Sequence, residues 1–182
     1  MDTDVEVVKS LDPLRVYDAV SGYESATHIS TGTMGACRDN EWIGMLLHDY
    51  DHRHFLRKDG TCDTTTNVIV ITDMTVKKYG LHLHGQKLVF GHNMVLLPFD
   101  YLCAKDLDTG EICKTSNTYT IHHFASSWLP EDERNYSRLY QKYNADFRRN
   151  GMNPKLSRYA SRIRAAYEIG GISMILRRLF ID

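Results

Sequence analysis

The stretch Met94-Val-Leu-Leu97, stopped by Pro98, is a short apolar run of the kind that forms a buried β-strand. Two further runs, one on each side of it along the chain, have a similar character: Asn67-Val-Ile-Val-Ile-Thr72 and Tyr119-Thr-Ile-His-His-Phe124. The first 130 residues contain strand patterns together with a helical pattern, and alternation of strands and helices is typical of α/β layer architectures. The sequence therefore predicts an α/β fold.

A helix is predicted to begin near residue 40, because Asp39 or Asn40 can cap its N-terminus. The residues predicted on its buried face recur with a helical period: Trp42, Met45, Leu46 and Tyr50. Further along, the Asp108-Thr-Gly110 stretch has the composition of a turn that joins two short extended segments.

The chain changes character after Trp128 and predicts a helical C-terminal extension, residues 131–182. Pro130 suits the first helical position, and the acidic residues 131–133 suit the positive end of the helix dipole. Gly151 ends this helix, and Gly170-Gly171 ends a second. The stripes predicted to face inward are Tyr136, Leu139, Tyr140, Tyr143 and Phe147, then Leu156, Tyr159, Ala160, Ile163 and Tyr167, and finally Ile172, Ile175, Leu176 and Leu179.

The composition is that of a globular protein, with 182 residues, of which 42% are hydrophobic and 25% charged. These values exclude disordered, collagen-like and low-complexity chains. No apolar run approaches the roughly 20 residues that a bilayer span needs, and the N-terminus lacks the pattern of a signal peptide. The four cysteines form no CxxC pair, which favours free thiols in a reducing cytosol. We therefore predict a cytoplasmic protein.

Charge is distributed unevenly along the chain. Residues 1–130 carry 11 basic and 17 acidic side chains, whereas residues 131–182 carry 11 basic and 6 acidic ones. We predict no nucleic-acid partner, because the basic extension contains no zinc finger, RNA-recognition signature or basic run interleaved with aromatic residues. Its last stripe, in residues 171–182, leads to the hypothesis of peripheral contact with the anionic inner face of a membrane, although packing of this helix onto the body of the protein is the favoured interpretation.

Two acidic residues lie at the beginning of the chain, in Asp2-Thr3-Asp4. In an extended segment, residues two apart point to the same side, so Asp2 and Asp4 can present paired carboxylates. Hard oxygen ligands of this kind suit Mg²⁺ or Mn²⁺ bound together with a diphosphate. The alternative is a solvated chain end.

A second candidate site is His122-His123-Phe124-Ala125-Ser126-Ser127-Trp128. Adjacent histidines cannot share one face of a strand, so only one of them can point at a given site. Two serine hydroxyls and an indole N–H are donors suited to phosphate oxygens. The alternative is a strand end with a core tryptophan and one surface histidine.

Taken together, the two motifs resemble the DXD sugar-transferase family 32, and in particular its bacterial capsular-polysaccharide branch. Members of this family typically read Gly-Gly-x-Tyr-Leu-Asp-Thr-Asp-Val-Glu, followed later by His-His-x-x-x-Ser-Trp. The sequence between the motifs agrees as well, at Lys9-Ser-Leu-Asp-Pro-Leu14, Gly22-Tyr-Glu24, Asp59-Gly-Thr-Cys-Asp-Thr-Thr-Thr-Asn67, Thr109-Gly110 and Asn117-Thr-Tyr119. The resemblance covers roughly residues 2–130.

The resemblance implies a GT-A-like fold for residues 1–130, with the sugar nucleotide at the carboxyl ends of the strands. Family members have further βα units before the Asp-x-Asp, where this sequence has only Met1, so we expect an N-terminally truncated catalytic domain. The implied reaction is metal-dependent, retaining transfer of a sugar from a nucleotide-diphospho-sugar to a glycan or lipid-linked saccharide acceptor, in capsular polysaccharide biosynthesis.

The resemblance also implies roles for individual residues. Asp4 would ligate Mn²⁺ (or Mg²⁺) directly, and Asp2 would reach the ion through water or hold the ribose or the sugar. His122 would be the third protein ligand, while Ser127 and Trp128 would contact the diphosphate. A cation that bridges the two phosphates stabilises them as they leave.

Other interpretations stay open. Glu24 either lies near the acceptor or is a surface carboxylate. The chain could be a catalytically inactive transferase remnant that binds carbohydrate or a partner protein. A third class is a zinc-binding module on residues 48–54, where His48 and His52 have i, i+4 spacing. A solvated helix face is the favoured interpretation of those histidines. His82 and His84, which we place on one face of an edge strand, are likewise interpreted as solvated side chains rather than metal ligands.

Overall fold

The computed structural model describes residues 1–180, and within them the side chains of residues 1–178. The chain forms two compact units, the first from Met1–Ala104 with Lys114–His123 and the second from Lys105–Cys113 with the chain from Phe124 on. The strands are β1 (Val5–Val7), β2 (Ala19–Ser25), β3 (His28–Ile29), β4 (Gly35–Ala36), β5 (Leu88–Phe90), β6 (Met94–Leu97) and β7 (Thr120–His122). The helices are a 3-10 helix (Asp12–Val16), α1 (Glu41–Tyr50), α2 (Asn67–Tyr79), α3 (Phe99–Leu102), α4 (Glu131–Arg149) and α5 (Pro154–Phe180).

The first unit contains a mixed five-stranded sheet with the order β3-β2-β6-β5, in which β4 also pairs with β2. β2 and β6 run parallel, with Ala19 opposite Met94 and Gly22 opposite Leu97. The other pairings described for this sheet are antiparallel. A parallel pair needs a long crossover, and α1 and α2 lie in the chain between β2 and β6. The predicted α/β class is therefore confirmed as a mixed α/β fold.

The sheet has an apolar core on each face, because its strands alternate with a period of two. One core contains Ala19, Tyr23, Met94 and Leu96 from the strands and Trp42, Leu46 and Ile71 from α1 and α2. The other contains Val20, Val95 and Leu97 from the strands with Leu14 and Leu102. Predicted strands at Met94–Leu97 and within Tyr119–Phe124 are confirmed as β6 and β7.

The predicted strand at Asn67–Thr72 is wrong, because these residues form the first half of α2. The buried residues Ile71 and Thr75 are four apart, which is a helical spacing, and Gly80 closes the helix in the left-handed conformation at φ 63°. Two contacts hold the helix in place: Thr72 Oγ1 accepts the Ile29 N–H at 3.0 Å, and Thr75 Oγ1 accepts the Trp42 Nε1–H at 2.8 Å. Tertiary packing thus overrides the local β-propensity of the run.

The helix predicted near residue 40 is confirmed as α1. The Asn40 side chain caps it by accepting the N–H groups of Trp42 and Ile43 at 3.1 and 3.3 Å. Tyr50, however, is exposed rather than buried. His82 and His84 have no regular secondary structure, so the edge strand predicted for them is wrong.

In the second unit, Asp108 lies in the predicted turn. Lys105, before the turn, and Ile112, after it, pair in an isolated antiparallel β-bridge. Pro130 is the N-cap of α4 rather than its first residue. The predicted inward face of α5 is only partly correct. Ala160 and Ile163 are half-buried, but Leu156, Tyr159 and Tyr167 are exposed. The fully buried residues of α5 are small: Ser157, Ser161, Ala165 and Ala166. Small residues let two helix backbones approach closely, and Ser157 Oγ donates to Asn144 Oδ1 of α4 at 2.7 Å.

The predicted helix break at Gly170-Gly171 is confirmed, since both residues have non-helical backbone angles inside α5. Beyond it Ile172 and Leu176 are exposed, and the Leu179 side chain lies outside the described residues. Within residues 1–180, no helix has both the length and the apolar character needed to cross a bilayer. Peripheral membrane contact by residues 171–182 stays a prediction.

Candidate metal site

The two sequence motifs meet through an antiparallel pairing of β1 with β7. In this pair Val5 lies opposite His122 and Val7 lies opposite Thr120. The pairing extends past β1, because the His123 N–H donates to the Asp4 carbonyl at 3.0 Å. The beginning of the chain and the His-His motif are therefore neighbours, although almost 120 residues separate them in sequence.

Asp2 and Asp4 are brought together by a turn, not by the strand alternation that the sequence analysis invoked. Thr3 and Asp4 form the turn just before β1, and the Val5 N–H donates to the Asp2 carbonyl at 3.4 Å. A second bond anchors the first residues of this segment, since the Asp2 N–H donates to the Gly32 carbonyl at 2.8 Å. The predicted pairing of the carboxylates therefore arises from a different local geometry.

Three potential ligand atoms, one each from Asp2, Asp4 and His122, lie within 4.8 Å of one another. His122 Nε2 is 3.4 Å from Asp4 Oδ1 and 3.8 Å from Asp2 Oδ2. Among the described residues this is the one group of three or more such side chains that could hold an ion. Ligand atoms lie about 2.0–2.2 Å from a Mn²⁺, Mg²⁺ or Zn²⁺ ion, so two ligands of one ion are separated by about 3–4 Å. The spacing of the three side chains fits a single cation.

The three side chains differ in how deeply they are buried. The exposed fraction is 10% for the His122 side chain, 25% for that of Asp4 and 51% for that of Asp2. A cation held here would thus have a buried imidazole on one side and an accessible carboxylate on the other. Such a site keeps coordination positions open for a ligand from solution.

The adjacent histidine has a different partner. His123 Nε2 lies 2.9 Å from Glu6 Oε2, across the β1–β7 pair. His122, in contrast, presents Nε2 to both aspartates. This division agrees with the expectation that adjacent histidines cannot share one face of a strand. The family resemblance, not the alternation, selected His122 as the candidate ligand.

The other predicted site residues are Ser127, Trp128 and Glu24. Ser127 and Trp128 belong to the second unit, in a turn that precedes α4, and 80% of Trp128 is exposed. Trp128 is therefore not the core tryptophan that the alternative interpretation proposed. Glu24 lies near the end of β2, outside the group of Asp2, Asp4 and His122. Burial raises the pKa of its carboxyl group.

The histidines near residue 50 lie at the end of α1. The rings of His48 and His52 are in edge-to-face contact with centroids 5.4 Å apart, and His48 Nδ1 is 3.0 Å from Asp51 Oδ2. Both histidines are exposed. The zinc-binding interpretation of residues 48–54 stays a hypothesis.

Sequence analysis missed the segment Ser30–Thr33, which contacts the candidate metal site. Gly32 accepts the Asp2 N–H, and its Cα lies against the His122 ring. The next residue, Thr33, lines a cavity of about 440 Å³ together with apolar residues such as Leu14, Val20 and Met34. Ligand pockets commonly have volumes of about 300–1,000 Å³. The Ser-Thr-Gly-Thr composition indicates a loop but not which side chain it will meet.

Comparisons with protein-family models, with curated proteins and with solved structures gave no match. The function is therefore argued from the geometry of the candidate metal site.

Proposed function

We propose that this chain is a glycosyltransferase that binds a divalent cation through Asp2, Asp4 and His122, and with it the diphosphate of a nucleotide sugar. The sugar is transferred to a glycan or polysaccharide acceptor with retention of configuration. One observation carries the proposal: Asp2 and Asp4, at the beginning of the chain, and His122, almost 120 residues later, have potential ligand atoms within 4.8 Å of one another. Chance pairs of acidic residues are common, but a buried imidazole that faces two carboxylates is a more specific arrangement.

The donor set bears on the identity of the cation. Mg²⁺ strongly prefers oxygen ligands, whereas imidazole nitrogen suits transition metals. One nitrogen and two carboxylates form a mixed donor set, and we propose Mn²⁺ (or Mg²⁺) as the cation. When bound, the cation supplies positive charge to the two phosphates as they leave the sugar.

The three residues have different roles in binding the cation and the nucleotide sugar. His122 and Asp4, the more buried pair, hold the cation in a fixed position, because their backbones are bonded into the β1–β7 pair and the adjoining chain. Asp2, half of whose side chain is exposed, faces solvent and is accessible to a hydroxyl of the ribose or the sugar. In this proposal the leaving diphosphate needs no protein proton donor, since its charge is compensated by the cation.

The position of His122 in the fold supports the proposal. The His122 N–H donates to the Cys103 carbonyl at 2.8 Å, and Cys103 ends the short helix that follows β6. In open α/β sheets, ligands bind beyond the carboxyl ends of the parallel strands, and β6 is one of the two parallel strands. A GT-A-like arrangement of residues 1–130 is therefore part of the proposal, with the cavity beside Thr33 available to a substrate.

The test is calorimetric titration of Mn²⁺, followed by UDP and GDP, into the wild-type chain and two variants. Asp4→Ala removes a proposed ligand. Glu6→Ala is the control, because it removes a carboxylate of β1 that contacts His123 rather than His122. We expect wild type and Glu6→Ala to bind Mn²⁺ alike and Asp4→Ala to bind at least about a hundredfold more weakly. Nucleotide binding should require Mn²⁺ and be lost in Asp4→Ala.

Two results would overturn the proposal. One is a folded wild-type chain that binds no Mn²⁺, and the other is an Asp4→Ala variant that binds it as well as wild type. Metal binding without any nucleotide binding would instead favour the inactive remnant. If nucleotide does bind, incubation with nucleotide sugars and NMR of the product's anomeric proton tests transfer and retention.

A further inference from the structure

Gly32 contacts two of the three proposed ligands at once. Its carbonyl accepts the Asp2 N–H at 2.8 Å, which ties the first residues of the chain to the loop after β3. Its Cα lies against the face of the His122 ring. A Cβ atom at this position would lie 2.6 Å from His122 Nδ1 and 3.0 Å from both Cγ and Cε1. Real Cβ atoms essentially never come closer than 3.0 Å to such neighbours.

The requirement for glycine comes from this contact rather than from the backbone. Gly32 is not among the described glycines with a positive φ, so its backbone conformation is available to alanine. A methyl group at residue 32 would therefore conflict with the imidazole ring itself. Either the ring or the loop has to move.

The loop is held on both sides and has little freedom to move. The Ser30 N–H donates to the Gly22 carbonyl at 2.8 Å, and Ser21 Oγ donates to the Ser30 carbonyl at 2.8 Å, which fixes the loop to β2. On the other side, Thr33 Oγ1 lies 3.2 Å from Thr120 Oγ1 of β7, and both hydroxyls are buried. Because these bonds anchor the loop, we expect the imidazole to be displaced.

From this geometry we propose that Gly32 is the positioning residue of the metal site. Its Cα, which carries no side chain, lies against the His122 ring, and its carbonyl accepts the Asp2 N–H. A single residue therefore sets the distance between the ligand atoms of Asp2 and His122. This inference rests on the proposed function as far as the cation is concerned. The contact between Gly32 and the His122 ring can be tested without a cation.

The test compares Gly32→Ala with Gly35→Ala, a matched control three residues away. A Cβ at residue 35 would meet only Val20 Cγ1, at an ordinary contact distance of 3.4 Å. Two quantities are measured: Mn²⁺ affinity by calorimetry, and the His122 ring ¹⁵N and ¹H resonances by NMR without metal. We expect Gly32→Ala to bind Mn²⁺ at least about tenfold more weakly and to shift the His122 resonances, and Gly35→Ala to match wild type in both.

A double-mutant cycle with His122→Ala keeps the test decisive even if Gly32→Ala alone does not fold. If the conflict is with the ring, Gly32→Ala lowers the thermal unfolding temperature in the wild-type background and has little effect once the ring is gone. Should Gly32→Ala fail to fold, the double variant Gly32→Ala/His122→Ala is expected to fold.

The outcomes separate this inference from the proposed function. Wild-type Mn²⁺ binding that Gly32→Ala leaves unchanged would overturn the inference and leave the proposed function intact. If wild type binds no Mn²⁺, the proposed function fails, and the NMR spectra decide the role of Gly32. Unshifted His122 resonances in Gly32→Ala, or an equal loss of stability in the His122→Ala background, would show that Gly32 does not seat the ring.

Discussion

Two aspartates of this protein have similar exposure and contrasting surroundings. The Asp4 side chain is 25% exposed and that of Asp108 is 29% exposed. Asp108 accepts hydrogen bonds from Arg148 Nη2 at 3.1 Å, Arg158 Nε at 2.7 Å and the Tyr140 hydroxyl at 3.0 Å. Asp4 has an imidazole nitrogen at 3.4 Å, and a second carboxylate, that of Asp2, belongs to the same group.

The difference between the two surroundings suggests two uses for a carboxylate. At Asp108, the guanidinium groups of two arginines compensate the negative charge of the carboxylate, so the protein supplies all the positive charge that this carboxylate needs. The bonds join the turn at residue 108 to α4 and α5, which makes Asp108 a structural residue of the second unit. At Asp4, two carboxylates share one imidazole, which can be a neutral metal ligand. Under the proposed function, this group would bind a cation from solution.

The largest effect that we predict is stabilisation by Mn²⁺. A ligand that binds only the folded state at a concentration one hundred times its Kd raises the free energy of unfolding by about 2.7 kcal/mol. Urea unfolding with and without Mn²⁺ measures this gain, which Asp4→Asn should abolish and Asp108→Asn should retain. Equal stabilisation of the wild type and Asp4→Asn would mean that Mn²⁺ acts elsewhere and would remove the contrast between the two aspartates.

The second prediction concerns Asp108→Asn, which leaves Arg148 and Arg158 without their shared carboxylate. Removing one partner of a partly buried charge network costs more than breaking an exposed pair, so we expect a loss of about 2 kcal/mol in the free energy of unfolding. Asp146→Asn is the matched control, because it breaks a more exposed pair on α4, with Arg149 Nη2 3.0 Å from Asp146 Oδ1. That control should lose less than about 0.5 kcal/mol. Equal losses in the two variants would show that the network adds nothing beyond a surface pair.

The two regions also differ in how far sequence could predict them. The proximity of Asp2, Asp4 and His122 could be anticipated, because the family resemblance places these three residues at one site and alternation along a strand directs only one of two adjacent histidines to a given side. The geometry of this group was not predictable. The turn at Thr3 and the contact of Gly32 with the His122 ring depend on residues that are remote in sequence. A glycine in a sequence also does not indicate which side chain will lie against its Cα.

Around Asp108, sequence predicted the turn and the basic helices but not the contacts between them. Apolar periodicity favoured an inward face with Tyr159 and Tyr167, whereas α5 packs through Ser157, Ser161 and Ala165. A hydrophobic pattern cannot reveal that two helices approach closely enough to need small residues. The same limit explains the run from Asn67, whose β-branched residues favour a strand locally and form a helix under the sheet's packing.

A smaller effect is expected at the tyrosine that contacts Asp108. Burial, together with the adjacent Asp108 carboxylate, raises the pKa of Tyr140 to about 12 from its ordinary value of 10.0. Between these two values the unfolded chain loses the proton first, so this group's contribution to the free energy of unfolding falls as the pH rises from about 10 to 12. Tyr140→Phe should lose about 1 kcal/mol at neutral pH, where its hydrogen bond is missing, and should show a shallower decline in alkali.

Urea unfolding of wild type and Tyr140→Phe at pH 8, 10 and 11 measures this change. Tyr159→Phe is the control, because 53% of Tyr159 is exposed. Parallel pH profiles for wild type and Tyr140→Phe would contradict the assignment of a shielded, Asp108-bound hydroxyl.

The smallest effect is predicted for Glu24, which extends the comparison to a carboxyl group governed by burial. Burial raises its pKa above the ordinary value of 4.5, so in the folded protein it keeps its proton to a higher pH than in the unfolded chain. The stability that it contributes is therefore present at pH 4 and is lost as the pH rises through the folded pKa. Glu24→Gln, which stays neutral, should gain on the wild type between pH 4 and pH 7, by no more than about 0.5 kcal/mol. Urea unfolding at the two pH values measures the gain. A difference between the two proteins that is independent of pH would mean that Glu24 is already solvated, as a surface carboxylate would be, and would leave Asp4 and Asp108 as the two carboxylates whose surroundings decide their roles.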